Sequence, residues 1–208
     1  VAARLSAALP EPRMQVTLDK QYPVAAPPEA AWLVLSNVTE LATCMPGAQI
    51  TERIDDAHYK GSVKVKVGPA TAAFAGTIEV LGVDAATRTL RMLGKGADRA
   101  GSSASMDLTA RLVAADGGMS TLVGKADVVV AGKFAQFGGR MMNSVSDMIL
   151  AQFADTFSQK AAALQTASAV DAAAASAPAP VAAPKELNAL AILWALVRGL
   201  FSGLFGRK

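Results

Sequence analysis

The chain has 208 residues, of which 52% are hydrophobic and only 5% aromatic, and its formal net charge at neutral pH is +3. This length is enough for one domain of ordinary size with appendages, and the charge is too dispersed to indicate a nucleic-acid interface. With 1 cysteine and 1 histidine, an intramolecular disulfide is excluded, and we expect neither metal ligands nor catalytic residues.

The N-terminal segment, residues 1–13, lacks the long apolar stretch of a signal peptide. We therefore expect a disordered extension on a domain that stays in the cytoplasm. From Met14 to Val24 apolar and polar residues alternate with period two, which predicts a strand.

A pair of short helices is predicted next. Pro27-Pro28-Glu29 is typical of a first helical turn, and the pattern continues to about Val38. Thr39 is the expected cap of the second helix, which should end before Pro46-Gly47.

From Ala48 to Ala131 strand patterns alternate with turn signals. The clearest turns are Asp55-Asp56, Gly68-Pro69 and Asp116-Gly117-Gly118. Together with the first strand, the pattern predicts about seven strands in an antiparallel sheet that has one face in water.

A helical period replaces the strand pattern from Phe134 to Leu164, where a broad apolar stripe runs without proline. Such a helix needs a large apolar partner, and the sheet provides one. The predicted fold class is therefore α+β, with a curved antiparallel sheet wrapped around a long C-terminal helix.

Strand parity assigns the residues of the sheet that face this helix. Several of them are glycine or alanine, such as Gly76, Ala110 and Gly124. Small residues under a helix either allow close packing or leave a void, so a tightly packed core and an apolar ligand cavity are both open. The residues predicted to line a cavity are Phe74, Ile78, Val80, Leu90, Met92, Met106, Leu108, Leu122, Phe137, Met141, Val145 and Met148.

The composition changes again after Leu164. Residues 165–186 are dominated by alanine, proline and serine, which predicts a flexible linker. The predicted organisation is thus an extension (1–13), a domain (14–164), a linker (165–186) and an apolar tail (187–208).

The tail is long enough, at about 20 residues, to cross a bilayer. Arg198 would then lie near the membrane centre, and Arg207-Lys208 would have to cross. An interfacial helix avoids both costs, a short span and docking into a protein groove being the alternatives. The residues predicted to contact the membrane are Leu187, Leu190, Ile192, Leu193, Trp194, Leu196, Val197, Leu200, Phe201, Leu204 and Phe205.

Some single residues admit two interpretations. Cys44 is expected to be a buried small side chain rather than a reactive thiol, and His58 a solvated turn residue. Gly94-Lys95-Gly96 is expected to give flexibility to a hairpin. The lysine stripe is expected to be a solvated outer face, or else a surface for an acidic partner or lipid head groups; it consists of Lys60, Lys64 and Lys66.

Between Met14 and Leu164 the sequence resembles the carbon monoxide dehydrogenase CoxG family, of the START-like (SRPBCC) superfamily with the helix-grip fold. The resemblance is carried by Pro27–Trp32, Cys44–Ala48, Tyr59–Gly61, Val65–Pro69, Phe74–Gly76 and Asp127–Gly132. It implies a non-catalytic accessory protein that associates with a molybdenum CO dehydrogenase or a related hydroxylase at the cytoplasmic face of the cell membrane.

Enzymes of this kind pass electrons to a lipid-soluble quinone. We therefore expect the cavity to hold an isoprenoid quinone or a similar lipid as a non-covalent ligand. A START-like cyclase or hydrolase and a ligand-free membrane adaptor remain the alternatives.

Overall fold

An antiparallel sheet and a long C-terminal helix make up most of the described structure. The computed structural model describes residues 12–67, 70–137 and 139–176, without the side chains of Val67, Ala70, Phe137 and residues 168–176. The elements are β1 (Arg13–Val24), α1 (Pro28–Leu35), α2 (Val38–Cys44), β2 (Ala48–Arg53), β3 (His58–Val67), β4 (Ala70–Asp84), β5 (Thr89–Ala97), β6 (Ser103–Ala115), β7 (Met119–Ala131) and α3 (Gly139–Ser176).

The 7 strands form a single sheet in the order β1-β7-β6-β5-β4-β3-β2, and every neighbouring pair is antiparallel. Strands β2 to β7 follow one another as a meander, and β1 returns beside β7. The β6–β7 turn needs Gly117 and Gly118, which both have φ of +72°. The prediction of an antiparallel sheet with one long C-terminal helix is confirmed.

The two short helices are divided differently from the prediction. Helix α1 ends at Leu35, and α2 is capped by Asn37, whose side-chain oxygen accepts the N–H groups of Thr39 (3.1 Å) and Glu40 (3.2 Å). The expected cap at Thr39 is thus wrong. The extended backbone of Asn37 separates the helices, and its side chain satisfies two N–H groups that have no helical partner.

Helix α3 covers the concave face of the sheet through two apolar clusters. The first cluster includes Val24, Leu35, Leu90, Leu122 and Phe157, and the Phe157 side chain is 0% exposed. The second cluster is built on Ala72, Val130 and Phe134, against which Met142 and Val145 of α3 pack. The sheet is therefore joined to α3 at separate places along the helix.

Helix α3 also continues past the predicted domain boundary at Leu164. It is helical to Ser176, so the first part of the segment predicted as a flexible linker is helical. The reason is its alanine content, because alanine has the highest helix propensity, and the first proline after Leu164 is Pro178. At the other end of the domain, β1 already begins at Arg13.

The chain divides into one unit of residues Val1–Val170, which contains the sheet, and a second of Asp171–Lys208. Within residues 12–67, 70–137 and 139–176, no helix combines the length and the apolarity needed to cross a membrane. The predicted tail (187–208), the rest of the linker and residues 1–11 lie outside the described residues.

Candidate functional site: an apolar cavity between helix and sheet

A cavity of about 390 Å³ lies on the concave face of the sheet, under α3. Leu150 and Phe153 of α3 border it, as do Leu41 and Met45 at the α2 side. Its wall consists almost entirely of apolar atoms. This size falls within the range of small-molecule pockets, which are typically about 300–1,000 Å³.

The strand register explains why these side chains meet. Leu108 of β6 pairs with Met92 of β5 and with Ala126 of β7, and Ala126 pairs with Leu18 of β1. Directly paired residues of antiparallel strands point to the same face of the sheet. Each row across the cavity floor therefore combines large apolar side chains with small ones.

Glycines have two different roles on this face. A Cβ added to Gly124 would meet no atom within 4 Å, so this residue leaves open space beside the cavity. A Cβ added to Gly76 would collide with the carbonyl oxygen of Lys95 and come within 2.6 Å of the Gly96 Cα. Gly76 is thus required for the close approach of β4 and β5, whereas Gly124 contributes volume.

The structure brings half of the predicted cavity residues to the cavity wall. These are Phe74, Ile78, Met92, Met106, Leu108 and Leu122. Leu90 is completely buried in the first cluster, and Val80 packs against that cluster. Both therefore belong to the packed core beside the cavity. Whether any of these residues contacts a ligand stays a prediction.

The helical residues were assigned less accurately. Met141 and Met148 are 39% and 51% exposed, so their predicted place at the cavity is wrong. Met148 lies five positions before Phe153, about 140° around the helix, which turns it away from the sheet. Val145 packs in the second cluster instead. The side chain of Phe137 lies outside the described part of the chain.

Several lining residues were missed by the sequence analysis. Leu150 and Phe153 belong to the same apolar stripe as Phe157, and this i, i+3, i+4 spacing was a usable signal. Gly94 and Gly96 line the cavity from β5, not from a flexible hairpin. Their alternation with Leu90 and Met92 would have placed them on the inner face.

One charged side chain of β1 reaches the cavity. Lys20 lines it, and its Nζ lies 2.8 Å from Oδ1 of Asp147 in α3. The hydrogen bond to Asp147 raises the pKa of Lys20 above its ordinary value. The alternation of Leu18 and Lys20 along β1 would have indicated that this lysine faces inward.

Two further polar contacts hold α3 beyond the cavity. The backbone N–H of Ala25 donates to Oγ of Ser158 at 2.9 Å. Lys160 Nζ lies 2.7 Å from Oε2 of Glu40 in α2. Because the neighbouring Phe157 is buried in the first cluster, this part of α3 is attached to both the sheet and the short helices.

The other singled-out residues lie away from reactive arrangements. Cys44 is 2% exposed, and burial raises the pKa of its thiol. His58 is exposed and its Nδ1 lies 2.9 Å from Oδ1 of Asp55. The lysine stripe is on the outer face of β3, with Lys60 paired to Glu52 at 2.8 Å. Within the described residues, no group of three or more histidine, cysteine or carboxylate side chains could hold a metal ion.

Solved structures share this architecture. A conserved protein from Geobacillus kaustophilus is similar with a TM-score of 0.64 and 18% identity, over 71% of this chain and 95% of that chain. The Zhui aromatase/cyclase from Streptomyces sp. R1128 gives 0.53 and 18%, over 71% and 94%. A START superfamily protein from Mycobacterium smegmatis gives 0.52 and 15%, over 71% and 98%.

Identities this low establish the fold alone, and they confirm the helix-grip prediction. No curated protein sequence matches the chain. The family model for the carbon monoxide dehydrogenase component CoxG matches residues 21–162, from within β1 to within α3. Since this match covers more than half of the chain, the protein belongs to the carbon monoxide dehydrogenase CoxG family.

Proposed function

We propose that the protein is a non-catalytic accessory protein that binds an isoprenoid quinone or a similar lipid. In this proposal it links a molybdenum CO dehydrogenase, or a related hydroxylase, to the cytoplasmic face of the cell membrane. Family membership and the START-like fold support an accessory, ligand-binding role. The observation that carries the ligand is the apolar cavity of about 390 Å³ under α3.

The cavity wall suits a hydrocarbon chain. Each buried methylene contributes about 0.8 kcal/mol, so one five-carbon isoprene unit contributes about 4 kcal/mol. Met92 and Met106 in the wall have flexible side chains that adapt to irregular ligands. A wall of mostly apolar atoms supports binding of an apolar molecule better than acid–base chemistry on a polar substrate.

The membrane and partner parts of the proposal rest on the sequence and the family. An apolar tail (187–208) with Arg198, Arg207 and Lys208 suits an interface rich in anionic lipids. A lipid carrier attached in this way would exchange its ligand with the bilayer while its domain contacts the enzyme. The family description names carbon monoxide dehydrogenase, which is the basis for proposing that partner.

The ligand is tested by solvent extraction of the purified full-length protein and mass spectrometry of the extract. We expect a quinone or similar isoprenoid lipid in near-stoichiometric amount. In Gly124→Leu the new side chain enters the open space beside the cavity, so bound lipid should fall at least about fivefold without loss of folding.

Gly82→Leu is the matched control. Gly82 is exposed on β4, a Cβ there also meets no atom within 4 Å, and it does not line the cavity. It should keep the lipid content of the unchanged protein. A lipid-free wild-type protein, or equal lipid content in Gly124→Leu and Gly82→Leu, would refute binding in this cavity.

A further inference from the structure

The Lys20–Asp147 pair lies between the cavity and the solvent. Lys20 lines the cavity, yet its side chain is 40% exposed, and that of Asp147 is 55% exposed. The methylene stem of Lys20 can therefore cover apolar wall while its ammonium group stays in contact with water. The other charged lining residue of the described part, Lys95, alternates with Gly94 and Gly96 and so belongs to the outer face.

The register places Lys20 beside free space. Lys20 of β1 pairs directly with Gly124 of β7, and side chains at paired positions point to the same face. Because Gly124 has no side chain, and a Cβ there would meet no atom within 4 Å, a ligand group can lie next to the lysine stem. An apolar ligand in the cavity would thus have one polar end near Nζ of Lys20.

We propose that the Lys20–Asp147 pair binds the polar head of the cavity ligand and selects a neutral, hydrogen-bond-accepting head, such as a ketone or quinone carbonyl, over a carboxylate. This inference rests on the proposed binding of an apolar ligand in the cavity. It adds the orientation of the ligand and the residues that determine its head group.

The preference for a neutral head follows from the charges. An ammonium group has three donors, and Asp147 accepts one of them at 2.8 Å, which leaves donors for a carbonyl oxygen. The carboxylate of Asp147 already balances the charge of Lys20. A ligand carboxylate would place a second negative charge beside Asp147, whereas a carbonyl adds none.

The test uses two amphiphiles with the same chain length, 2-dodecanone and dodecanoate. They displace the neutral fluorescent probe N-phenyl-1-naphthylamine from the delipidated full-length protein at pH 8. The unchanged protein should bind the ketone more tightly. Lys20→Met keeps the apolar stem but removes the donors, so ketone affinity should fall about three- to fivefold while probe affinity stays unchanged.

Asp147→Asn is the decisive variant, because it leaves the positive charge of Lys20 without its carboxylate. Affinity for dodecanoate should rise about three- to fivefold, and the preference should shift toward the carboxylate. Lys160→Met is the matched control, since it breaks another ion pair of α3, with Glu40, that does not line the cavity. It should leave the head-group preference unchanged, and melting temperatures verify that all variants fold.

The outcomes separate the two proposals. If neither the probe nor the amphiphiles bind the unchanged protein, cavity binding itself is refuted. If the probe binds but the ratio of ketone to carboxylate affinity is the same in all variants, cavity binding stands and the head-group site is refuted. A shift of that ratio in Lys160→Met equal to the shift in Asp147→Asn would also refute it.

Discussion

Cys44 shows how burial determines the chemistry of a residue. It lies at the end of α2, 2% exposed, and its Sγ donates to the carbonyl oxygen of Glu40 at 3.6 Å. Burial is the main cause that raises the pKa of the thiol above its ordinary value of 9.0, while Lys160 opposes the shift. The sequence analysis predicted a buried small side chain, and this is confirmed.

This raised pKa predicts a loss of stability at high pH. Above about pH 9 the thiol ionises in the unfolded chain while it stays protonated in the folded protein. Unfolding then releases a proton, so the free energy of unfolding falls as pH rises through this range. Urea titrations at pH 7.5 and pH 10 should show a larger loss for the unchanged protein than for Cys44→Ala.

Thiol reactivity provides a second measurement for the same prediction. Reaction of native Cys44 with Ellman's reagent should be slow and should become fast in urea. Rapid labelling of the native protein, or an identical pH dependence in Cys44→Ala, would contradict the burial effect.

Among the secondary-structure elements, α2 depends on its cap at Asn37. Replacing Asn37 by alanine leaves the N–H groups of Thr39 and Glu40 without their acceptor and should lower the free energy of unfolding by about 1 kcal/mol. Asn37→Asp retains an acceptor and should cost little. Denaturant unfolding measures both variants.

Thr39→Ala distinguishes the structure from the sequence-based expectation. In the structure the Thr39 side chain is not the cap, so this change should cost less than Asn37→Ala. A larger loss in Thr39→Ala than in Asn37→Ala would restore the original interpretation.

Helix α3 shows where pattern reasoning reached its limit. The helical period correctly predicted a long helix against the sheet, because an apolar stripe must be covered. The stripe was drawn too broadly, since methionine at position 141 or 148 satisfies a hydrophobic pattern without being buried. Only the orientation of the helix on the sheet selects Leu150 and Phe153 as the residues over the cavity.

For the molecule as a whole, membrane binding should depend on the tail and ligand binding on the domain. A chain that ends at Ser176 keeps the sheet and α3. We expect it to lose flotation with vesicles of phosphatidylcholine and phosphatidylglycerol, which the full-length protein should show. The truncated chain should still bind N-phenyl-1-naphthylamine.

The controls for the tail use lipid charge. Binding of the full-length protein should weaken in vesicles of phosphatidylcholine alone and in high salt, because Arg198, Arg207 and Lys208 lose their anionic partners. If the truncated chain floats as well as the full-length one, the tail is not the membrane-binding segment.

Local periodicity and short motifs were sufficient to predict the order of strands and helices, the antiparallel sheet, the long helix and the family. The choice between a packed core and a cavity needed long-range contacts, which a strand pattern does not contain. A glycine that leaves space, Gly124, and one that lets strands approach, Gly76, are identical in such a pattern. What separates them is the distance to atoms of other strands, and the same kind of contact between distant parts of the chain joins Lys20 to Asp147.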